Sequence, residues 1–105
     1  MKAEKKTRLE KAGWHVGTAA GLLKLSPEES TLVNMRLALA GAVRGRRARL
    51  GFSQSELARR LGSSQSRVAK IEAGESNVSF DLLVRAMLAT GAKPREVGEA
   101  IAAGK

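Results

Sequence analysis

No cysteine occurs among the 105 residues, so neither a disulfide nor a thiolate metal site can hold this chain together. Histidine occurs once, at His15, which leaves no imidazole cluster for a metal or for proton transfer. No apolar run reaches the roughly 18 residues that a membrane span requires. The N-terminal stretch KAEKKTRLEK lacks the apolar centre of a signal peptide. These absences lead us to expect a cytoplasmic protein with no membrane partner, in which the sequon Asn77-Val78-Ser79 stays unmodified. Catalytic constellations are missing too. No serine or cysteine is set beside a base, and no paired carboxylates or Walker or Rossmann phosphate loop can be found. The serines fall where helix amides need caps. The expectation is a protein that is not an enzyme and carries no cofactor or metal.

Acidic residues are also scarce, and unevenly so. The formal net charge is +9. Residues 31–74 hold nine basic and two acidic side chains, a net +7, whereas residues 1–30 carry +2 and residues 75–105 are neutral. A basic excess focused on one segment points to a polyanionic partner; its plainer meaning is a solvated surface.

What is present reads as helix almost throughout. Ser26-Pro27-Glu28-Glu29 combines a cap, a first-turn proline and a capping-box glutamate. The helix it opens is expected to run to about Leu50, with Leu32, Met35, Leu39, Val43, Arg47 and Leu50 on one stripe. Gly41 and Gly45 within it suggest close packing or a local break. Gly51 ends this helix, and Ser53-Gln54-Ser55-Glu56 opens the next with a second capping box. Gly62 permits a sharp turn into a third helix starting at Ser63 or Ser64, and two short helices joined this way form a helix-turn-helix. Further on, Ser79 caps a helix through about Thr90, with Val78 and Leu83 spaced as a hydrophobic staple. Lys93-Pro94-Arg95-Glu96 then starts a last short helix, on which Val97 and Ile101 share a face.

The stretch SSQSRVAKIEAGE, Ser63 to Glu75, can be laid on a helical wheel at about 100° per residue. Val68, Ile71 and Glu72 fall inward; Ser66, Lys70 and Ala73 fall outward, with Arg67 and Ala69 at the edges and Gln65 in the first turn. This small, polar face with basic edges can enter a major groove, with Gln65 and Lys70 at base edges and Arg67 and the helix N-terminus at phosphate. Glu72 faces inward like Arg47 on the earlier helix, and two buried charges that meet offset much of each other's desolvation. An Arg47–Glu72 pair is therefore expected.

The run GFSQSELARRLGSSQSRVAKIEAGE, Gly51 to Glu75, resembles the Cro/C1-type, or XRE-family, helix-turn-helix. The shared features are Ser53-Gln54, Glu56-Leu57-Ala58, the turn Gly62, the inward Val68, and Ile71-Glu72 followed by Gly74. The resemblance implies an all-α, five-helix lambda-repressor-like domain of roughly residues 30–92, whose third helix reads double-stranded DNA. Gln65, Ser66 and Lys70 would be its base readers. Gln54, Ser64 and Arg67 would contact or support the DNA backbone, and Arg49, Arg59 and Arg60, with Arg44 and Arg46, would add sequence-independent attraction. Ser66 is shorter than the amide residue that some phage repressors place there. In this family the segment after the fourth helix commonly builds a homodimer contact, for which Val97 and Ile101 are candidates, as they are for plain core packing. The implied target is an inverted-repeat operator.

A narrower resemblance covers residues 13–50. The order GW, GTAAGLLKLSPEES and then a long Leu- and Arg-rich helix is similar to antitoxins of HigBA-type modules, which bind a RelE-like ribonuclease toxin and repress their own operon. On this division residues 1–25 form a helical N-terminal extension, 26–92 the helix-turn-helix domain, and 93–105 a short helix and tail. Trp14, Leu22, Leu23 and Leu25 group apolar surface in the extension, either for packing on the domain's own first helix or for a protein toxin.

Overall fold

The computed structural model describes residues 25–104. Five helices follow one another, α1 (Pro27–Leu50), α2 (Gln54–Leu61), α3 (Gln65–Ala73), α4 (Phe80–Ala89) and α5 (Pro94–Ala103), with no strand among the described residues. The chain divides into two compact units, residues 1–33 and 34–105. Of the first, only residues 25–33 are described; Trp14, Leu22 and Leu23 lie outside the described residues, and Leu25 is half-buried.

Each helix begins where the sequence offers a side chain for its free amides. The Ser26 hydroxyl accepts from the Glu29 amide at 3.1 Å, and the Ser26 amide donates to Glu29 Oε1 at 2.8 Å, a reciprocal capping box behind Pro27. Ser53, Ser64 and Ser79 cap α2, α3 and α4 by accepting from the amides of Glu56, Arg67 and Leu82. The expected second capping box is only half formed. The Glu56 carboxylate turns away from the cap to meet Arg59 and Arg60 one turn on, a charge-assisted contact that is stronger than one to a neutral amide. At α5 the Lys93 amide donates to Glu96 Oε1 at 2.8 Å.

Glycine supplies the stops. Gly62 and Gly74 sit in the left-handed region, at φ 72° and 71°, and close α2 and α3 by returning their amides to carbonyls of the preceding turn. Gly41 and Gly45 do something else: α1 runs through both without interruption. A Cβ at Gly41 would meet nothing within 4 Å, and one at Gly45 only the Arg49 side chain at 3.9 Å. The close packing or break expected there is absent, Gly41 being exposed and Gly45 half-buried at the side of a groove.

The core lies in the second unit. Leu39, Ala40 and Val43 of α1 are buried, as are Leu57 and Ala58 of α2, Val68 and Ile71 of α3, and Leu83, Ala86 and Met87 of α4, together with Val78, Ala92 and Val97. Val97 belongs to α5, so all five helices contribute to the core. The long stripe expected on α1 is shorter than its periodicity: Leu32 and Leu50 are about half exposed, and burial is confined to the central turns.

Two arginines whose roles the sequence pattern did not show fix the connections. The Arg36 guanidinium donates to the carbonyls of Glu75, Ser76 and Val78, pinning the loop between α3 and α4. Arg46 Nε donates to Thr90 Oγ1 at 2.8 Å, and its Nη1 lies 3.6 Å from Glu96. Thr90 in turn donates to the Met87 carbonyl, so the end of α4 and the start of α5 are tied to α1.

Candidate nucleic-acid interface

The third helix presents two different faces. Val68 and Ile71 are fully buried, whereas Gln65, Ser66, Arg67, Lys70 and Ala73 are exposed. The apolar pair fixes how deep α3 sits, and the Ser64 cap and Gly74 stop fix its length. The outer face therefore stands clear of the core. Beside it lies a groove lined by Ser64, Ser66, Arg67, Lys70, Asn77 and Ser79. No carboxylate lines this groove, which makes it suited to an anion such as a phosphate.

Asn77 and Ser79 enter this groove from the loop that Arg36 pins. In the sequence Ser79 stands out as a cap and a sequon residue, and Asn77 as a sequon residue alone. The signal that would have found them is their nearness in sequence to the end of α3, on a loop too short to lead away from it.

Behind the outer face lies a polar network. Arg47 and Glu72 meet in a bidentate pair, Nε to Oε2 at 2.5 Å and Nη2 to Oε1 at 2.9 Å. Glu72 is almost fully covered, its side chain 5% exposed. Arg47 Nη1 also donates to the Phe52 carbonyl at 2.8 Å, holding the turn before α2. Glu72 Oε1 accepts a further bond from Gln54 Nε2 at 3.1 Å. Gln54 Oε1 then accepts from Gln65 Nε2 at 2.5 Å. Burial alone would raise the Glu72 carboxyl, but the hydrogen bonds from Arg47 and Gln54, with the charges of Arg47 and Arg44, outweigh it and hold it below its ordinary value. Arg47 is raised in return, chiefly through its bond to Glu72.

The remaining candidates divide. Ser64 is the α3 cap, and its hydroxyl lies 3.3 Å from that of Ser66. Arg59 and Arg60 are exposed on α2 but engaged by Glu56, at 2.5 and 2.9 Å, and Arg60 also lies 4.2 Å over the Phe52 ring. Arg49 is not brought to α3. It lines a second groove with Gly45, Arg46, Glu96 and Glu99, which shares no residue with the first. Of the pair on α5, Val97 is a core residue and Ile101 is half-buried against the core.

Among the described residues no group of His, Cys, Asp or Glu could hold a metal ion, and no helix is long and apolar enough to cross a membrane. No curated protein and no solved structure matches the chain. The helix-turn-helix family does match, over residues 43–97, which take in α2, the turn at Gly62, α3, α4 and the first turn of α5. That family is one of DNA-binding regulatory domains and not of enzymes, and its fold is the all-α, lambda-repressor-like arrangement described above. With more than half of its length inside that match, and with α3 set outward on two buried side chains, the chain belongs to the helix-turn-helix family of DNA-binding transcription regulators.

Proposed function

We propose that this protein reads a specific DNA sequence and represses the operon that encodes it, acting as a homodimer on an inverted repeat. The observation that carries the reading is the outer face of α3, where Gln65, Ser66 and Lys70 stand exposed and the last two line a groove free of carboxylates. In a major groove Gln65 would pair with adenine and Lys70 with guanine. Ser66 would add a short hydroxyl contact, and Arg67 and the capped N-terminus at Ser64 would engage phosphate. Arg59 and Arg60 would exchange Glu56 for phosphate as DNA approaches. Two copies of α3 would then enter successive major grooves about one helical turn apart. Ile101 keeps surface that a second copy could cover.

The test is selection of bound duplexes from a randomised pool. Recovery of an inverted repeat with half-sites one turn apart supports the reading. Tight binding with no enriched sequence defeats it. A second role, neutralisation of a RelE-like ribonuclease toxin, is favoured by the residue order of 13–50 alone. Deleting residues 1–25 tests it: the toxin reading expects loss of toxin binding while the remainder still binds its operator.

A further inference from the structure

We infer that Glu72, whose side chain is almost fully covered, helps to choose the base that Gln65 reads, by fixing which way two glutamine amides face. This inference rests on the DNA-reading role proposed above. A carboxylate held ionised by Arg47 can only accept hydrogen bonds. Gln54 must therefore turn its nitrogen toward Glu72, as observed at 3.1 Å. Its oxygen then faces Gln65, which has to answer with a donor, as observed at 2.5 Å. Donation runs from Gln65 to Gln54 to Glu72, and Arg47 donates to the same carboxylate from the other side.

The consequence lies at the exposed end. Gln65 spends one N–H on Gln54 and keeps its oxygen and its second N–H for a ligand. One acceptor beside one donor is the pattern complementary to the N6 amino group and N7 of adenine. Were Glu72 a donor instead, Gln54 could reverse, Gln65 would answer with its oxygen, and two N–H groups would face outward. That arrangement matches the acceptors O6 and N7 of guanine better than adenine. Glu72 is thus a positioning residue for recognition as well as half of a buried ion pair.

The test is duplex selection with the full chain, wild type against Glu72→Gln, Gln54→Ala and Gln65→Ala, read as base preference at each half-site position. Gln65→Ala identifies the position that Gln65 reads. At that position alone Glu72→Gln is expected to lose adenine preference by roughly ten-fold, a typical size for one misplaced base contact. Gln54→Ala, which leaves the Arg47–Glu72 pair in place, is expected to blur the same position, so the inference stays open to refutation if Glu72→Gln fails to fold. Preferences retained at every position in Gln54→Ala, or in a folded Glu72→Gln, would overturn it, even with overall affinity reduced. A wild type that selects no sequence would overturn the DNA-reading role, and this inference with it.

Discussion

At position 72 a carboxylate is almost fully covered, yet three donors reach it, two from Arg47 and one from Gln54. Glu72→Ala would leave the Arg47 guanidinium facing the interior without its partner. We expect a loss of about 3 to 5 kcal/mol for such a broken pair, measurable by urea unfolding; an unchanged midpoint would refute it. The pair also has a pH signature. Because the folded protein holds Glu72 below its ordinary value, the unfolded chain binds the proton more readily. The stabilisation is complete above the ordinary carboxylate range and is lost as pH falls through the lowered folded value. The gap in melting temperature between wild type and Glu72→Gln should accordingly narrow on acidification. Glycines offer a contrasting pair. Gly74→Ala meets a left-handed φ of 71° and should cost about 1 to 2 kcal/mol. The nearest obstacle to its Cβ is the mobile tip of Leu37 at 2.9 Å, so backbone strain is the main cost. Gly41→Ala sits mid-helix in open space and should stabilise by about 1 kcal/mol. Thermal melts of the two variants should move in opposite directions.

Among the elements α3 was the most legible. Its wheel separated Val68 and Ile71 from Ser66, Lys70 and Ala73, and the structure buries the first two and exposes the others. Helix boundaries were legible wherever a serine cap or a glycine stop stood alone. The Glu56 half of a capping box was misjudged because two arginines within one turn compete for the same carboxylate. On α1, periodicity showed which side was apolar but not how far burial extends, since that depends on the lengths of the helices packed beside it. The outer face of α3 carries its own prediction. Lys70→Ala should change base preference at one position of each half-site by about 1 to 3 kcal/mol. Arg67→Ala should instead weaken binding to every duplex and lower the salt slope by about one. Titrations of matched and mismatched duplexes at two salt concentrations separate the two effects.

On the scale of the whole molecule, the basic excess of residues 31–74 is less available than its sum suggests. Arg46, Arg47, Arg59 and Arg60 are engaged by Glu96, Glu72 and Glu56, and Arg36 by loop carbonyls. The engagement of Arg36 and Arg46 follows no periodic pattern, because their partners lie about forty residues away. Asn77 reaches the groove on a loop that Arg36 holds, and only its nearness to the end of α3 hints at that place in the sequence. One consequence of how α3 is held concerns the nucleic acid more than the protein. A helix capped at Ser64, stopped at Gly74, anchored by two core side chains and braced from behind by Arg47 and Glu72 has no slack with which to follow an irregular groove. Any mismatch of shape must then be absorbed by the duplex, whose stiffness differs from one base step to the next. Operators with identical contacted bases but more rigid flanking steps should bind more weakly, and bases the protein never reaches would become part of its code.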